Sequence, residues 1–395
     1  MQDGASVANV HLLKGLTSLG VKIDLISIAG ENDPCSIEEI QRVCGISELY
    51  VLRKKSGGSR FRLKGMIEVL LSLISRPWLA VTLGAFSKNK VRNEISAILA
   101  QGSRTGEKWD SIVYDGLHVA AHSSAFGLFR KPSKDLRVIY RAHNVESDIW
   151  KRKATLTHFL PLRWFFVIQT ALMQRFENSL VRQSDSVMTV SDTDLDIFRG
   201  TCPEMHGTTV PIGYEFTPPP ALPQNSERLL FLGRLDWPPN RDGLLWFLEN
   251  VWPEAHRRRP SLELVIAGSG DTRGLKEKLA LPGVTFLGRV ASVEKTYEES
   301  VLSLVPIFYG SGTRVKAIEA SRFGRACLST AIGIEGLGLE RGKTYFQAET
   351  ADEWIQTLVG LDVQQAAAIG LNAHELLKKS FHLPIAAQKF LSVTK

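Results

Sequence analysis

The chain has 395 residues, 44% hydrophobic and 23% charged, which excludes a disordered or fibrous protein and exceeds what one ordinary core holds. Two domains of roughly 150–200 residues each fit that length. With 48 basic and 41 acidic residues the net charge is +7. An anionic partner is therefore expected, but no zinc-finger spacing or RNA-binding signature points to nucleic acid.

The opening MQDGASVANV lacks the charged-then-apolar order of a signal peptide. Helical apolar spacing over Gly4 to Leu19 (Val7, Val10, Leu13, Leu16) precedes a buried strand expected over Val21 to Ile28. Glu48 to Leu52 reads as a strand, followed by the basic run RKKSGGSRFRLK from Arg53 to Lys64. That run is either a solvated loop or a basic rim for an anionic acceptor or lipid head groups. Met66 to Phe86 is apolar but broken by Glu68, Arg76 and Pro77. Phe159 to Met173 is too short and contains Arg163, so neither stretch is expected to span a bilayer.

Ser111 to Tyr114 is a short strand ending in Asp115-Gly116. Arg137 to Tyr140 is another, delivering Arg141, His143, Asn144 and Glu146 at its carboxyl end, where open parallel sheets place ligands. Asp148 to Val181 is largely helical, interrupted near Pro161, and interleaves basic and aromatic residues from Trp150 to Phe166, which read either as core plus solvated face or as a dock for anionic lipid. Ser186 to Val190 is a strand, with Ser191 capping the helix that follows. Asp192-Thr193-Asp194 matches a metal-binding D-x-D literally, yet acidic residues in a first helical turn serve the helix dipole. Cys35, Cys44, Cys202 and Cys327 form no C-x-x-C pair. Free thiols in a reducing cytosol, no metal and no cofactor are expected.

The proline-rich stretch Glu215 to Ser226 marks a linker between domains. The predicted boundaries are 1–214 for an N-terminal domain, 215–226 for the linker, 227–377 for a C-terminal domain, and 378–395 for a returning helix. Leu229 to Leu232 is a strand leading to Gly233-Arg234, Asp242 to Glu249 a helix, and Leu262 to Ala267 and Val284 to Leu287 further strands. Helices are expected over Asp352 to Leu361, Val363 to Leu377 and Leu383 to Val393.

Val305 to Gly338 organises the second half. A strand over Leu302 to Phe308 runs into Gly310-Ser311-Gly312. Thr313 is then placed as the N-cap of a helix to about Phe323, and a strand over Ala326 to Thr330 follows. A glycine loop opening a helix forms an anion site at the carboxyl end of its strand. Arg314 and Lys316 set cations beside it, with Glu319 further along the helix. Anion cradle, cations and a carboxylate suit a nucleoside diphosphate with ribose hydroxyls.

This stretch closely resembles the signature of the family-4 (group 1) retaining, nucleotide-sugar-dependent glycosyltransferases, in the subgroup with a GxGTRxKxxEA loop. The resemblance extends to LLFLGRLDWPPNRDGLLWFLENVWP (229–253), ELVIAGSGD (263–271), VTFLGRV (284–290) and His143-Asn144-Val145-Glu146, and so covers nearly the whole chain. It implies an α/β GT-B fold, with two Rossmann-like doubly wound domains facing a cleft and a C-terminal helix crossing back to the first. It also implies that Met1 to Ala5 is already the first glycine loop, the strand before it being absent.

The resemblance further implies a retaining, metal-independent transfer of a sugar from a nucleotide sugar to a glycan, a lipid-linked saccharide or a small molecule. The setting it implies is the cytoplasm, with peripheral contact at the inner membrane face. His143, Arg234 and Lys316 match catalytic positions, His143 facing the donor sugar. Gly4, Gly233, Arg234, Gly268, Arg289, Val290, Gly310, Ser311, Gly312, Thr313, Arg314 and Glu319 match the donor-binding set. Two departures stand out: Pro239 replaces a lysine five residues after Arg234, and Ser311 replaces the first of two paired glutamates. A nucleotide-sugar epimerase or a non-catalytic partner subunit on the same scaffold are the rival readings.

Overall fold

The computed structural model describes residues 4–30, 37–54, 77, 79–86, 89–102, 108–125, 128–132, 134–157, 159–223, 226–270, 272, 274–275, 277–310 and 313–394. Ser311, Gly312, Cys35 and the basic run from Lys55 to Lys64 lie outside them. The chain divides into two units: Met1–Ile212 with Ala386–Lys395, and Gly213–Ile385.

In the first unit, helix α1 (Gly4–Ser18) is the first element among the described residues. Strand β1 (Asp24–Gly30) starts three residues later than Val21 and pairs in parallel with β2 (Glu48–Lys54), which also takes in Arg53. A separate parallel sheet has the order β3 (Ser111–Asp115), β4 (Arg137–Ala142), β5 (Ser186–Thr189) and β6 (Gly207–Thr209). Strand β4 is buried along nearly its whole length, as a parallel strand covered on both faces should be.

Between β4 and β5 run two helices, α2 (Glu146–Leu156) and α3 (Leu160–Gln183), which pack along each other. Helix α2 is capped at Thr157 and α3 at Phe159, and Pro161 sits in the first turn of α3, where its missing N–H costs no bond. Helix α4 (Asp192–Thr201) is capped by the Ser191 hydroxyl, which accepts from the Asp194 N–H. Ala387 and Phe390, from the C-terminal helix (Leu383–Thr394), join a core with Leu12, Leu16, Ile139, Met188 and Val210.

The second unit is a six-stranded all-parallel sheet. Its strands in chain order are β7 (Arg228–Leu232), β8 (Glu263–Ala267), β9 (Val284–Gly288), β10 (Leu302–Val305), β11 (Ala326–Ser329) and β12 (Phe346–Gln347). They lie in the spatial order β9-β8-β7-β10-β11-β12, so the direction of winding reverses between β7 and β10. Ligands bind at that reversal, beyond the carboxyl ends of the strands. Trp252, Trp354, Phe231 and Phe247 fill the core beside it.

The proline-rich segment is not a free linker. Tyr214 donates its N–H to the Phe381 carbonyl at 2.8 Å and accepts from the Leu383 N–H at 2.8 Å. The buried Arg325 donates to the carbonyls of Pro220 (2.9 Å) and Ala221 (3.1 Å), and Arg322 to that of Glu215 (2.9 Å). These bonds tie residues 214–221 to the second unit. The division therefore falls at Ile212/Gly213, and the return to the first unit begins at Ala386, inside the last helix.

Candidate functional site

Helix α5 (Pro238–Asn250) starts on two prolines, which suit a first turn. It meets the sheet at the β10 end, where a Cβ on Gly243 would lie 1.7 Å from the Pro306 carbonyl oxygen. Only glycine allows that approach. Pro306 also ends β10 at Val305, shorter than the predicted strand to Phe308, because it has no N–H for the ladder. The carboxyl ends of β7, β8 and β9 are stitched together by Gly233 N–H to Ala267 O (2.9 Å) and Gly268 N–H to Gly288 O (2.7 Å). A Cβ on Gly268, whose φ is +155°, would sit 1.9 Å from the Gly233 oxygen.

The loop after β10 enters helix α6 (Val315–Arg322) one residue later than predicted. Thr313 is not the N-cap. Its hydroxyl is buried without a partner among the described residues, and Arg314 takes the cap position with φ −77° and ψ 62° and no side-chain cap bond. The Arg314 guanidinium folds back to donate to the Gly310 carbonyl (3.1 Å) and to Glu335 (3.0 Å), bracing the loop. Gly310 has φ +121° and lies against Pro239, the residue standing in the departed lysine position.

A cavity of about 180 Å³ opens here, lined by Trp237, Pro239, Asn240, Tyr309, Gly310, Thr313, Arg314, Lys316 and their neighbours. Its basic side chains are Arg314 and Lys316. The Lys316 Nζ is buried, has no hydrogen-bond partner among the described residues and stands 4.0 Å from the centroid of the Phe231 ring. Burial pushes the ammonium down to about 7, against the weaker pull of Glu319. Burial likewise pushes Glu319 up to about 7, although Arg322 and Lys316 favour its charged form. The Thr313 hydroxyl, Arg314 Nε and Lys316 Nζ, three donors on one cavity, have no partner among the described residues, which fits an oxyanion.

Arg234 stands at the β7 end, half exposed, with its guanidinium held in two bonds by Asp236 at 3.0 and 2.6 Å. Asn240, unassigned in the sequence reading, donates to the Arg234 carbonyl at 2.9 Å and fixes this turn. Tyr309 is hydrogen-bonded to Asp242, joining the glycine loop to α5. Arg234, Gly268, Glu319, Arg289 and Val290 are not among the lining residues. Arg289 is exposed and Val290 half-buried just beyond β9.

In the first unit, the ends of β3 and β4 build a separate constellation. His143 Nε2 lies 2.8 Å from Asp115 Oδ1, and the same carboxylate accepts from the buried Arg141 at 2.7 Å and from Asn9 at 2.5 Å. Arg141 also donates to the Asn9 side-chain oxygen at 2.7 Å. Burial pushes the Asp115 carboxyl up, but Arg141 and His143 together pull it well below the usual carboxylate range. Asp115, absent from the predicted site set, thus orients the His143 ring. The signal lies in its position, closing a strand beside the one that leads into His143. Gly4 opens α1 in this unit. Among the described residues, no cluster of histidine, cysteine, aspartate or glutamate could hold a metal ion.

The sequence profile described as "Glycosyl transferases group 1" matches residues 226–361. A curated Klebsiella pneumoniae protein, described as an uncharacterized 44.6 kDa protein in the cps region, is 29% identical over 123 residues. That match covers 29% of this chain and 32% of the relative, so the chain matches about a third of the relative's length. Among solved structures, sucrose-phosphate synthase from Thermosynechococcus elongatus is similar at 16% identity and TM-score 0.65, over 99% of this chain and 92% of its own. Anabaena HepE, solved with UDP and glucose, is similar at 14% identity and TM-score 0.61, over 99% and 95%. These likenesses show the GT-B fold, with its two Rossmann-like α/β units. Over residues 226–361 the chain carries a glycosyltransferase domain of the group 1 family.

Proposed function

We propose that this protein is a retaining, metal-independent glycosyltransferase of family 4 that takes its sugar from a nucleoside diphosphate sugar. The acceptor is a hydroxyl of a glycan or lipid-linked saccharide, and the setting is the cytoplasmic face of an anionic membrane. The observation that carries the reading is the buried Lys316 side-chain nitrogen, without a hydrogen-bond partner among the described residues, in a cavity at the winding reversal of the sheet. A departing diphosphate gains negative charge, and fixed donors already aimed at its position stabilise it without reorganisation. Thr313, Arg314 and Lys316 supply those donors. Gly233, Gly268 and Gly310 keep the nearby backbone clear of side chains, and Arg234 adds a fork suited to phosphate once released from Asp236.

The remaining matched positions follow the resemblance: Glu319 for the ribose, and Gly4, Arg289, Val290, Ser311 and Gly312 in the donor set. His143 has the role of polar contact with the transferred sugar, supported by the Asp115 bond that fixes its ring. UDP sugars are the first donors to try, since HepE was solved with UDP and glucose. The test is transfer from radiolabelled UDP sugars in excess EDTA, with the anomeric configuration of the product read by NMR. Activity lost in EDTA and restored by magnesium or manganese would refute the metal-independent part. An inverted product would refute retention, and a donor epimerised without acceptor would assign the site to another class of enzyme.

A further inference from the structure

Helix α3 is apolar on two faces at once. Its inner face, with Gln169, Met173, Phe176 and Leu180, is buried in the core of the first unit. Over its first three turns the outer face also carries large apolar side chains. Leu160 is 64% exposed, Trp164 66%, Val167 42% and Ile168 55%. Their spacing of i, i+4, i+7 and i+8 stacks them in one stripe. Phe159, 68% exposed in the turn before α3, extends that stripe to the tip of the α2–α3 pair. The inner aromatics are already occupied: Trp150 packs on Phe166 at 5.9 Å and Phe166 on Phe165 at 5.7 Å. The outer residues are thus surplus to the core, and a contiguous exposed patch of this kind marks an interaction surface.

The charge around the stripe has one sign. From Ile149 to Phe176 the sequence contains Lys151, Arg152, Lys153, Arg163 and Arg175 and no aspartate or glutamate. All five are exposed. A cavity of about 490 Å³ opens alongside, with Lys151 and Arg163 in its lining and Val167 shared with the stripe. The two acids in its wall are engaged. Asp148 pairs with Arg152 at 2.7 Å, and Glu177 accepts from the Glu146 and Ser147 N–H groups and the Ser147 hydroxyl at 2.9, 3.2 and 2.6 Å.

We propose that the stripe Phe159, Leu160, Trp164, Val167 and Ile168 inserts into an anionic bilayer, with Lys151, Lys153 and Arg163 on the lipid phosphates. Exposed apolar side chains beside a one-sign basic collar satisfy both terms of interfacial binding, area and charge. A second copy of the chain fits less well, because a two-fold contact through this face would set the collar against itself. The proposal deepens the peripheral placement given above and does not depend on the donor assignment.

Vesicle flotation of the full chain tests it, using phosphatidylcholine alone against phosphatidylcholine mixed with phosphatidylglycerol. The wild type should float with the anionic vesicles at low salt and be released as salt rises. The double variant Leu160→Glu/Trp164→Glu should lose about tenfold or more of that binding. It should keep the wild-type melting temperature and nucleoside-diphosphate affinity, since both side chains are exposed and lie in the other unit from the donor cavity. Arg163→Glu should show a smaller loss. A wild type that never floats with anionic vesicles, or a double variant that floats as well as the wild type, overturns the proposal. So does a concentration-dependent dimer that the double variant abolishes without any vesicle binding, which would give the face to a second copy.

Discussion

The Lys316 ammonium occupies the space that a side chain on Gly233 would need: a Cβ there would lie 2.6 Å from Nζ and 2.7 Å from Cε. The glycine just after β7 and the lysine in the first turn of α6 are thus parts of one arrangement, which brings a cation to the winding reversal of the sheet. Gly233→Ala should displace the flexible lysine tip without unfolding the sheet. Nucleoside-diphosphate affinity should fall about tenfold or more, as expected when a charged hydrogen bond of about 1.5–3 kcal/mol is lost. Calorimetric titration beside a thermal melt checks both halves.

Gly243 behaves differently, because what a Cβ would meet is the Pro306 backbone at 1.7 Å and not the end of a mobile side chain. Gly243→Ala should destabilise by about 3 kcal/mol as α5 is pushed from β10. Gly200, in α4 with open space around its Cβ, is the contrast. Gly200→Ala should be neutral or add up to about 1 kcal/mol. Denaturant midpoints of the two variants check the order.

Binding at the cavity should take up a proton near neutral pH. Lys316 titrates at about 7 in the free protein because burial disfavours its charge, so above that value the ammonium is largely neutral. A diphosphate beside it favours the charged form and raises its pKa, so binding at pH 7.5–8 should draw up to about one proton from the buffer. The groups facing Lys316 on its own helix are Glu319, also near 7, and Arg322 through Glu319; Glu294 acts on Glu319 from a neighbouring helix. Titration in buffers of different ionisation enthalpy reads the proton count. For stability the signs oppose. The depressed lysine makes the folded state gain with rising pH between about 7 and 10.5, and the raised glutamate makes it lose between about 4.5 and 7. The Lys316→Met and Glu319→Gln variants should flatten these two limbs separately.

Asp115 and Arg141 make a further case. The arginine is 3% exposed and its Nε has no partner among the described residues, so removing the carboxylate leaves a buried charge held, among them, by Asn9. Asp115→Ala should cost roughly 3 kcal/mol. The folded carboxyl titrates below its unfolded value, so this contribution is present at neutral pH. It is lost only as pH falls below the usual carboxylate range. Melting temperatures of wild type and Asp115→Asn should converge in acid.

The alternating strands and helices of both units were legible because parallel strands buried on both faces read as short apolar runs, as at Leu229 to Leu232 and Leu264 to Ala267. Gly310 and Lys316 were singled out by type and spacing, and both line the cavity, while Ser311 and Gly312 lie outside the described residues. The start of α6 was not. Thr313 carries the side chain of a good cap, but the chain at Arg314 is still turning, and the arginine is drawn back to Gly310 and Glu335. Arg325 escaped notice because a buried arginine that ties down a proline segment through carbonyls leaves no local pattern in sequence. Asp115, Asn9 and Arg141 meet only through the fold, 106 and 132 residues apart. The outer face of α3 was legible in part, as basic and aromatic residues interleaved from Trp150 to Phe166, but periodicity alone does not say which of two apolar faces is already covered.

The most direct test of the donor site is calorimetric titration of wild type and Lys316→Met with UDP, GDP, ADP and dTDP in excess EDTA. One nucleoside diphosphate should bind the wild type without metal, and the variant should bind it at least about tenfold more weakly while keeping its fold. A wild type that binds none of the four, or a Lys316→Met variant that binds as tightly as wild type, would contradict the assignment of this cavity to the diphosphate of a nucleotide sugar.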